Sequence, residues 1–342
     1  PSLKSSNGPA EAEAALGAGY AERLLRLVAG SGRLLFDLVA AEGIDCAAEA
    51  VGWLQPGHTA AAAEILRGRL ARLLAAGVDA AFLEREAMLA KTGLAALHGG
   101  LEVRSGGLVN PLAYARGLAG AAYRAGADIR GDSPVVRLER SAAQWRVETP
   151  GGSVTAPRVL LATNAMAGWL VPGLRASIIP ARVFQIATQV LPGEWRERLL
   201  PAGAPVADTR RHAFALRWSP DGRLVTGGMV AFVPDRMAEA RRSFTRRLAR
   251  FIPGLPPLRA DYTWTGVIAG TPDFLPRMIE AAPGLHGAIG CSGRGVALTT
   301  ALGRELAALA AGAVSPADFV LPITPPRPLP FARLAGIGPH LW

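Results

Sequence analysis

The chain has 342 residues, half of them hydrophobic, which is enough for two domains or one large one around a sizeable core. Its net charge of +10 is carried almost wholly by arginine, with Lys4 and Lys91 the only lysines. The densest basic run, Arg241-Arg242 through Arg246-Arg247 to Arg250, falls at helical spacing without interleaved aromatics, which reads as a solvated helix face and argues against a nucleic-acid partner. Cys46 and Cys291 are too few for a disulfide framework, and the scattered histidines form no metal-binding pair. No apolar run reaches the length of a transmembrane segment, so a reducing, cytoplasmic setting is expected.

In chain order, Pro1 to Pro9 reads as a loop with no strand before it, as from a sequence cut at its front. Leu16, Tyr20, Leu24, Leu27, Val28, Leu34, Leu35 and Leu38 keep helical spacing from Ala10 to about Ala41, with a kink expected at Gly30-Ser31-Gly32. Gly17-Ala18-Gly19 lies inside this helix with no preceding strand, so it is no nucleotide loop. Short strands follow around Gly52, then a helix from Ala60 to Ala76 ending at Gly77, and a strand at Phe82-Leu83 passing into a short helix. Ala95 to Val109 is loop and strand. Asn110 is placed to cap, and Pro111 to open, a helix that stops at Gly126.

Strands are then expected at Ala127–Arg130, Pro134–Arg140, Gln144–Thr149 and Val154–Ala156. Arg158 to Ala165 reads as an apolar strand buried on both faces. It ends in Thr163 and Asn164, at the strand end where α/β sheets hold ligands, or in a plain turn. Leu191–Leu200 is a short helix, Val206–Trp218 and Leu224–Gly228 are antiparallel strands, Asp235–Phe251 is a helix and Leu258–Ala269 another strand. The proline-rich run Leu321–Pro330 is expected to be an extended surface tail.

Leu285 to Gly312 reads as a short strand, a tight glycine turn and a long amphipathic helix. Gly290, Gly293 and Gly295 permit close approach to the backbone, and the helix points free N–H groups at the turn. The spacing G-x-x-G-x-G is not the dinucleotide fingerprint. A tightly turned junction and a seat for an electron-rich group both fit.

Taken together, Gly106-Gly107-Leu108-Val109-Asn110-Pro111, Val135, Trp145-Arg146-Val147, Gly151-Gly152 and Leu161-Ala162-Thr163-Asn164-Ala165 resemble the D-amino-acid oxidase superfamily of FAD-dependent oxidoreductases. Ile179 to Thr188, Trp264-Thr265-Gly266, Thr271-Pro272-Asp273-Phe274-Leu275-Pro276 and the Gly290–Gly295 turn are similar to later family segments, with the look closest to gamma-glutamylputrescine oxidase-like members. The resemblance covers nearly the whole chain in one order, but the family's opening strand, G-x-G-x-x-G turn and helix are not in this sequence. That implies a fragment of a longer protein or a decayed relative.

The resemblance implies a mixed α/β fold: a glutathione-reductase-type FAD-binding domain lacking its first βαβ unit, interleaved with an antiparallel-sheet substrate domain. The first would take residues 1–43, 98–165 and 270–342, and the second 44–97 and 166–269. The implied reaction is oxidation of an amine or amino acid to an imine by hydride transfer to flavin, with oxygen or another electron acceptor taking the electrons and oxygen giving hydrogen peroxide. A dehydrogenase with another acceptor and a non-catalytic relative are the alternatives. The implied FAD contacts are Val135, Val136, Thr163, Asn164, Gly290, Ser292, Gly293, Arg294, Gly295 and Val296, with Arg294 where the family often has His. Tyr262 and Trp264 share a strand face and suit the walls of an amine pocket. Arg182 suits a substrate carboxylate, and Asp273 suits either a turn cap or a flavin-proximal role.

Overall fold

The computed structural model describes residues 9–141, 143–166, 168, 170–210, 215–228 and 237–330. Two helices, α1 (Pro9–Leu16) and α2 (Ala18–Glu42), come first. The chain breaks at Gly17, whose φ is 81°, while α2 runs straight through Gly30-Ser31-Gly32. The segment continues as helix and serves as a packing surface. A Cβ on Gly32 would fall 2.4 Å from Ser105 O, and the buried Ser31 hydroxyl is satisfied by Val28 O at 2.8 Å.

Strand β1 (Trp53–Pro56), helix α3 (Ala60–Ala75), strand β2 (Ala80–Leu83), helix α4 (Arg85–Thr92) and strand β3 (Gly100–Val103) follow. Helix α5 (Pro111–Arg124) is capped as its sequence predicts, with Asn110 Oδ1 accepting from the N–H groups of Leu112 and Ala113 at 3.1 Å each. Ala127–Arg130 is not a strand. It is exposed throughout and pairs with no strand among the described residues, and its first N–H, that of Ala127, closes back on Ala122 O at 3.0 Å. The meander is β4 (Arg137–Ser141), β5 (Gln144–Thr149) and β6 (Gly152–Ala156). β7 is only Val159–Leu161, and Leu160 is 41% exposed. Among the described residues β7 pairs on one side alone, with β14 (Leu285–Ile289), so the expected burial on both faces is not met.

The long β8 (Ile179–Val190), α6 (Glu194–Arg198), β9 (Val206–Ala207), β10 (Ala215–Trp218), β11 (Arg223–Gly228), α7 (Met237–Phe251) and β12 (Ala260–Gly270) form most of the larger unit. Its eight strands run β12-β8-β11-β10-β9-β1-β3-β2, antiparallel except at β1–β9. Strand β3, expected on the other side of a boundary at 98, lies inside this sheet between β1 and β2. Leu54, Phe184, Ile186, Leu216, Trp218 and Leu224 share one core with Ala240, Phe244 and Leu248 of α7. Since side chains alternate along a strand, Gln185, Arg217 and Gly227 fall on the opposite face.

The smaller sheet runs β15-β13-β14-β7, with β13 (Arg277–Ala282) and β15 (Ile323–Thr324). Helices α2 and α8 (Gly295–Ala311) pack on it through Leu24, Leu27, Met278, Leu298, Leu302 and Phe319. Residues 319–324 are therefore no surface tail. Phe319, Val320 and Leu321 are buried, and Ile323-Thr324 pair in parallel with β13. Trp145 fastens the meander to the β13–β14 hairpin, its Nε1–H donating to Pro283 O at 3.1 Å.

Phe244 is the largest side chain that α7 places in the sheet core, and truncation leaves a cavity. Phe244→Ala is expected to cost about 3–5 kcal/mol, whereas loss of the exposed cap in Asn110→Ala costs about 1 kcal/mol. Denaturant unfolding of the two variants side by side checks the contrast.

Candidate functional site

Three segments far apart in sequence meet at the glycine turn. The first is the end of β7. Thr163 O accepts from Met166 N–H at 2.8 Å and turns the chain, leaving Asn164 at φ 42°, a left-handed conformation that asparagine tolerates. Asn164 Oδ1 accepts from Gly290 N–H at 3.2 Å, and its Nδ2 donates to Cys291 Sγ at 3.3 Å. One amide thus clamps two successive residues of the turn.

The second segment is the end of β12 with its following turn. Ala269 O accepts from Ser292 N–H at 2.9 Å. Buried Thr271 sits against Gly290, where a Cβ would fall 2.6 Å from Thr271 Cγ2, and Gly290 has φ 79°. Close approach and positive φ together leave glycine as the residue that fits there. The turn itself is held by Thr271 Oγ1 donating to Leu275 O at 2.7 Å and by Leu275 N–H donating to Asp273 Oδ1 at 3.0 Å.

The third segment is the turn and the start of α8. Ser292 (φ 51°) and Gly293 (φ 81°) reverse the chain, and Arg294 N–H closes the turn on Cys291 O at 3.0 Å. No side chain caps the N-terminus of α8. A Cβ on Gly295 would meet nothing within 4 Å, and one on Gly293 would meet only Ile268 Cδ1, at 3.3 Å. An open space therefore fronts a helix start whose N–H groups carry partial positive charge.

Arg294 sharpens this. Its Nε, Nη1 and Nη2 are all buried, and none has a hydrogen-bond partner. Burial pushes its pKa down to about 10, with only the neighbouring Cys291 acting the other way. A guanidinium offers five N–H donors, and leaving them unmade in a desolvated site is costly. An orphaned cation beside an uncapped helix start, behind a glycine cradle, fits the electron-rich edge of a flavin ring. Gly290, Ser292, Gly293, Arg294, Gly295 and Val296 would hold that edge, with Asn164 behind them.

Other expected residues lie elsewhere. Val136 N–H donates to Glu148 O at 2.8 Å at the start of the meander, and no hydrogen bond joins Val135 or Val136 to the glycine turn among the described residues. Asp273 caps its own turn and pairs with Arg277, so its carboxylate is already engaged. The register of β12 on β8 is unbroken from Tyr262↔Ala187 to Gly270↔Ile179, which fixes the faces. Ile268, touching the glycine turn, shares its face with Trp264 and Tyr262, as the sequence predicts for the last two. Arg182 alternates with that face. It lies on the side of Phe184, against α7, and is exposed, so it does not face the turn. Tyr262 is 58% exposed and six residues up the strand from Ile268, about 20 Å at the rise of an extended chain, with Arg223 stacked on its ring at 5.0 Å.

Besides Arg223 against Tyr262, the turn-facing side carries Arg217, which donates to Gln185 Oε1 at 2.9 Å. Sequence reasoning missed it, although the alternation Leu216-Arg217-Trp218 carries the signal. No cluster of three or more His, Cys, Asp or Glu is placed to hold a metal, and no helix is long and apolar enough to cross a membrane, among the described residues.

Asn164→Ala removes both bonds of the clamp and leaves an alanine in a left-handed conformation. A loss of about 1–3 kcal/mol is expected, together with faster labelling of the buried Cys291 thiol; unfolding curves and thiol-reagent kinetics read the two effects.

The sequence profile of the FAD dependent oxidoreductase (DAO) family matches residues 6–309. The probable oxidoreductase OrdL of Rhizobium meliloti (strain 1021) is 29% identical over 312 residues, covering 91% of this chain and 72% of that protein. The gamma-glutamylputrescine oxidoreductase of Escherichia coli (strain K12) is 30% identical over 215 residues, covering 63% of this chain and 50% of that protein. The crystal structure of glycine oxidase from Bacillus cereus ATCC 14579 superposes with a TM-score of 0.71 at 22% identity, covering 84% of this chain and 81% of that one, a likeness of fold. With a profile spanning most of the chain and a glycine turn whose one orphaned cation suits a flavin, the chain belongs to the DAO family of FAD-dependent oxidoreductases.

Proposed function

We propose that this chain carries the ring-binding and substrate-facing parts of an enzyme that oxidises the C–N bond of an amine or amino acid to an imine. The observation that carries the reading is the buried, unpartnered guanidinium of Arg294 at the uncapped start of α8. A bound FAD would supply the hydride-accepting chemistry for the carbon next to nitrogen, with oxygen as the electron acceptor that would be reduced to hydrogen peroxide. The chain's own work is electrostatic and positional. Arg294 and the first N–H groups of α8 favour negative charge that develops against them. Asn164 and Thr271 keep the turn in register. Trp264, 42% exposed on the turn-facing side of β12, walls the approach of the substrate. Asp273 is held by Leu275 N–H and Arg277, so proton removal is left to an amine that arrives neutral. The names of two relatives, one a gamma-glutamyl amine and one an amino acid, lend support to the substrate class. In this reading residues 1–43, 104–165 and 270–342 form the flavin unit, and 44–103 and 166–269 the substrate unit.

Protein expressed from its complete reading frame should purify yellow, lose the flavin's visible band on anaerobic mixing with an amine from a panel of putrescine derivatives, glycine, sarcosine and D-amino acids, and form peroxide in air. Absence of bound flavin, or no bleaching by any of these amines, overturns the reading. Reduction without peroxide replaces oxygen by another acceptor.

Arg294 supplies a test with opposite signs in two states. Its folded pKa is lowered, so the unfolded chain binds more protons above pH about 10. Below that pH the whole cost of burial acts on the flavin-free protein. Arg294→Met should therefore stabilise the flavin-free protein by about 1–3 kcal/mol and weaken FAD binding about tenfold or more. Thermal unfolding without flavin, and fluorescence titration with it, measure the two.

A further inference from the structure

The first turn of α8 presents the N–H groups of Val296 and Ala297 at the second and third helical positions. These are the donors that a capping side chain would take, and no side chain caps them. The carbonyls of the same peptide units are hydroxyl-bonded. Gly295 O, in the unit of the Val296 N–H, accepts from Thr299 Oγ1 at 2.6 Å. Val296 O, in the unit of the Ala297 N–H, accepts from Thr300 Oγ1 at 2.9 Å. Thr299 is exposed, so water can replace its bond. Thr300 is backed by a buried partner. Tyr114 of α5, only 5% exposed, holds its hydroxyl oxygen 2.8 Å from Thr300 Oγ1.

This contact has a direction. Thr300 has one hydroxyl proton, and Val296 O, a carbonyl, can only accept. The Thr300 proton therefore lies toward Val296 O, and the Tyr114 O–H donates to the Thr300 oxygen. Successive bonds of this kind polarise one another. A donor on a peptide oxygen draws electron density from the nitrogen of that unit and makes its N–H more positive. The result adds to the partial positive charge that the helix start already carries.

We propose that Thr300 and Tyr114 are positioning residues that polarise the Ala297 N–H, so that the start of α8 favours reduced, negatively charged flavin over oxidised flavin. The inference rests on the function proposed above. Thr300 lies one turn along α8 and Tyr114 on another helix, so both act through the backbone. A hydroxyl bonded to the carbonyl four residues back is a common habit of helical threonine. Thr300 differs in having a buried second donor behind it and an uncapped helix start in front.

FAD-loaded protein from the complete reading frame gives the main readout, the midpoint potential of the bound flavin against reference dyes. Thr300→Val keeps the side chain's shape and removes its hydroxyl, and Tyr114→Phe removes only the outer donor. Each is expected to hold reduced flavin about two- to fivefold less favourably relative to oxidised flavin, seen as a lowered potential. The double variant should move no further than Thr300→Val alone, because the two residues act in one run. Thr300→Ser should hold the native value, and Thr299→Val should move it less than Thr300→Val does. A packing role alone would weaken both flavin forms alike and leave the potential in place. Unchanged potentials in Thr300→Val and Tyr114→Phe overturn the inference and leave the oxidoreductase reading standing. A second arm follows base-catalysed hydrogen exchange at the Ala297 amide of the flavin-free protein, resolved with carbonyl-labelled valine and amide-labelled alanine. A less polarised N–H exchanges about twofold more slowly, whereas a loosened helix exchanges faster. Should the complete protein bind no flavin, the function proposed above fails and this arm decides: slower exchange in both variants upholds the polarisation, and equal or faster exchange overturns it.

Discussion

The structure around the glycine turn depends on a positive charge that none of the described residues answers. Arg294 is buried at all three guanidinium nitrogens beside a helix start that no side chain caps. Two like features, a cation and the positive end of a helix, oppose each other in the flavin-free protein. They persist together because the turn is over-determined. Gly290 is held by Asn164, Ser292 by Ala269 and Arg294 by Cys291, each through a backbone N–H. The apolar face of α8 is meanwhile buried against α2 and the smaller sheet. Packing fixes the helix, the helix fixes the turn, and the turn fixes the cation.

The second constraint is alternation in the long strands β8 and β12. Because their pairing is unbroken over nine rows from Tyr262↔Ala187 to Gly270↔Ile179, each side chain's face follows from the position of its neighbours. Phe184 and Ile186 on α7 commit the even positions of β8 to the core side. Arg182 goes with them, and Gln185 goes with Trp264 and Ile268 to the other. Arg182 thus lies on the α7 side, while Arg217, three strands from β12, lies on the side of Ile268 and the glycine turn.

Much of the fold was legible because its signals are local. Asn110-Pro111 announces α5, Gly77 and Gly312 end their helices, and the Leu285–Gly312 pattern of strand, turn and helix is carried in one stretch. What was not legible depends on neighbours. Gly30-Ser31-Gly32 looks like a helix breaker until Ser105 is seen lying against it. Val159 to Leu161 reads as a central strand, but burial on both faces requires a partner on each side, which β7 lacks among the described residues. The proline-rich segment reads as a tail because nothing in its own residues says that β13 offers it a free edge. Asn164 and Thr163 were expected near a site by the rule that ligands sit at strand ends. The clamp on Gly290, 126 residues away, is a tertiary fact.

The arginines divide in a way that ties stability to function. Pairs such as Arg26–Glu22 and Arg33–Asp37 lie on exposed helix faces, and their contribution to folding is small. Arg182 pairs with no acid among the described residues but stands in water, where a lone charge costs little. Among the described residues, Arg294 and Arg217 are both held away from water without an acid beside them. A ligand that supplies negative charge to either one recovers that cost on binding and stabilises the folded state by mass action.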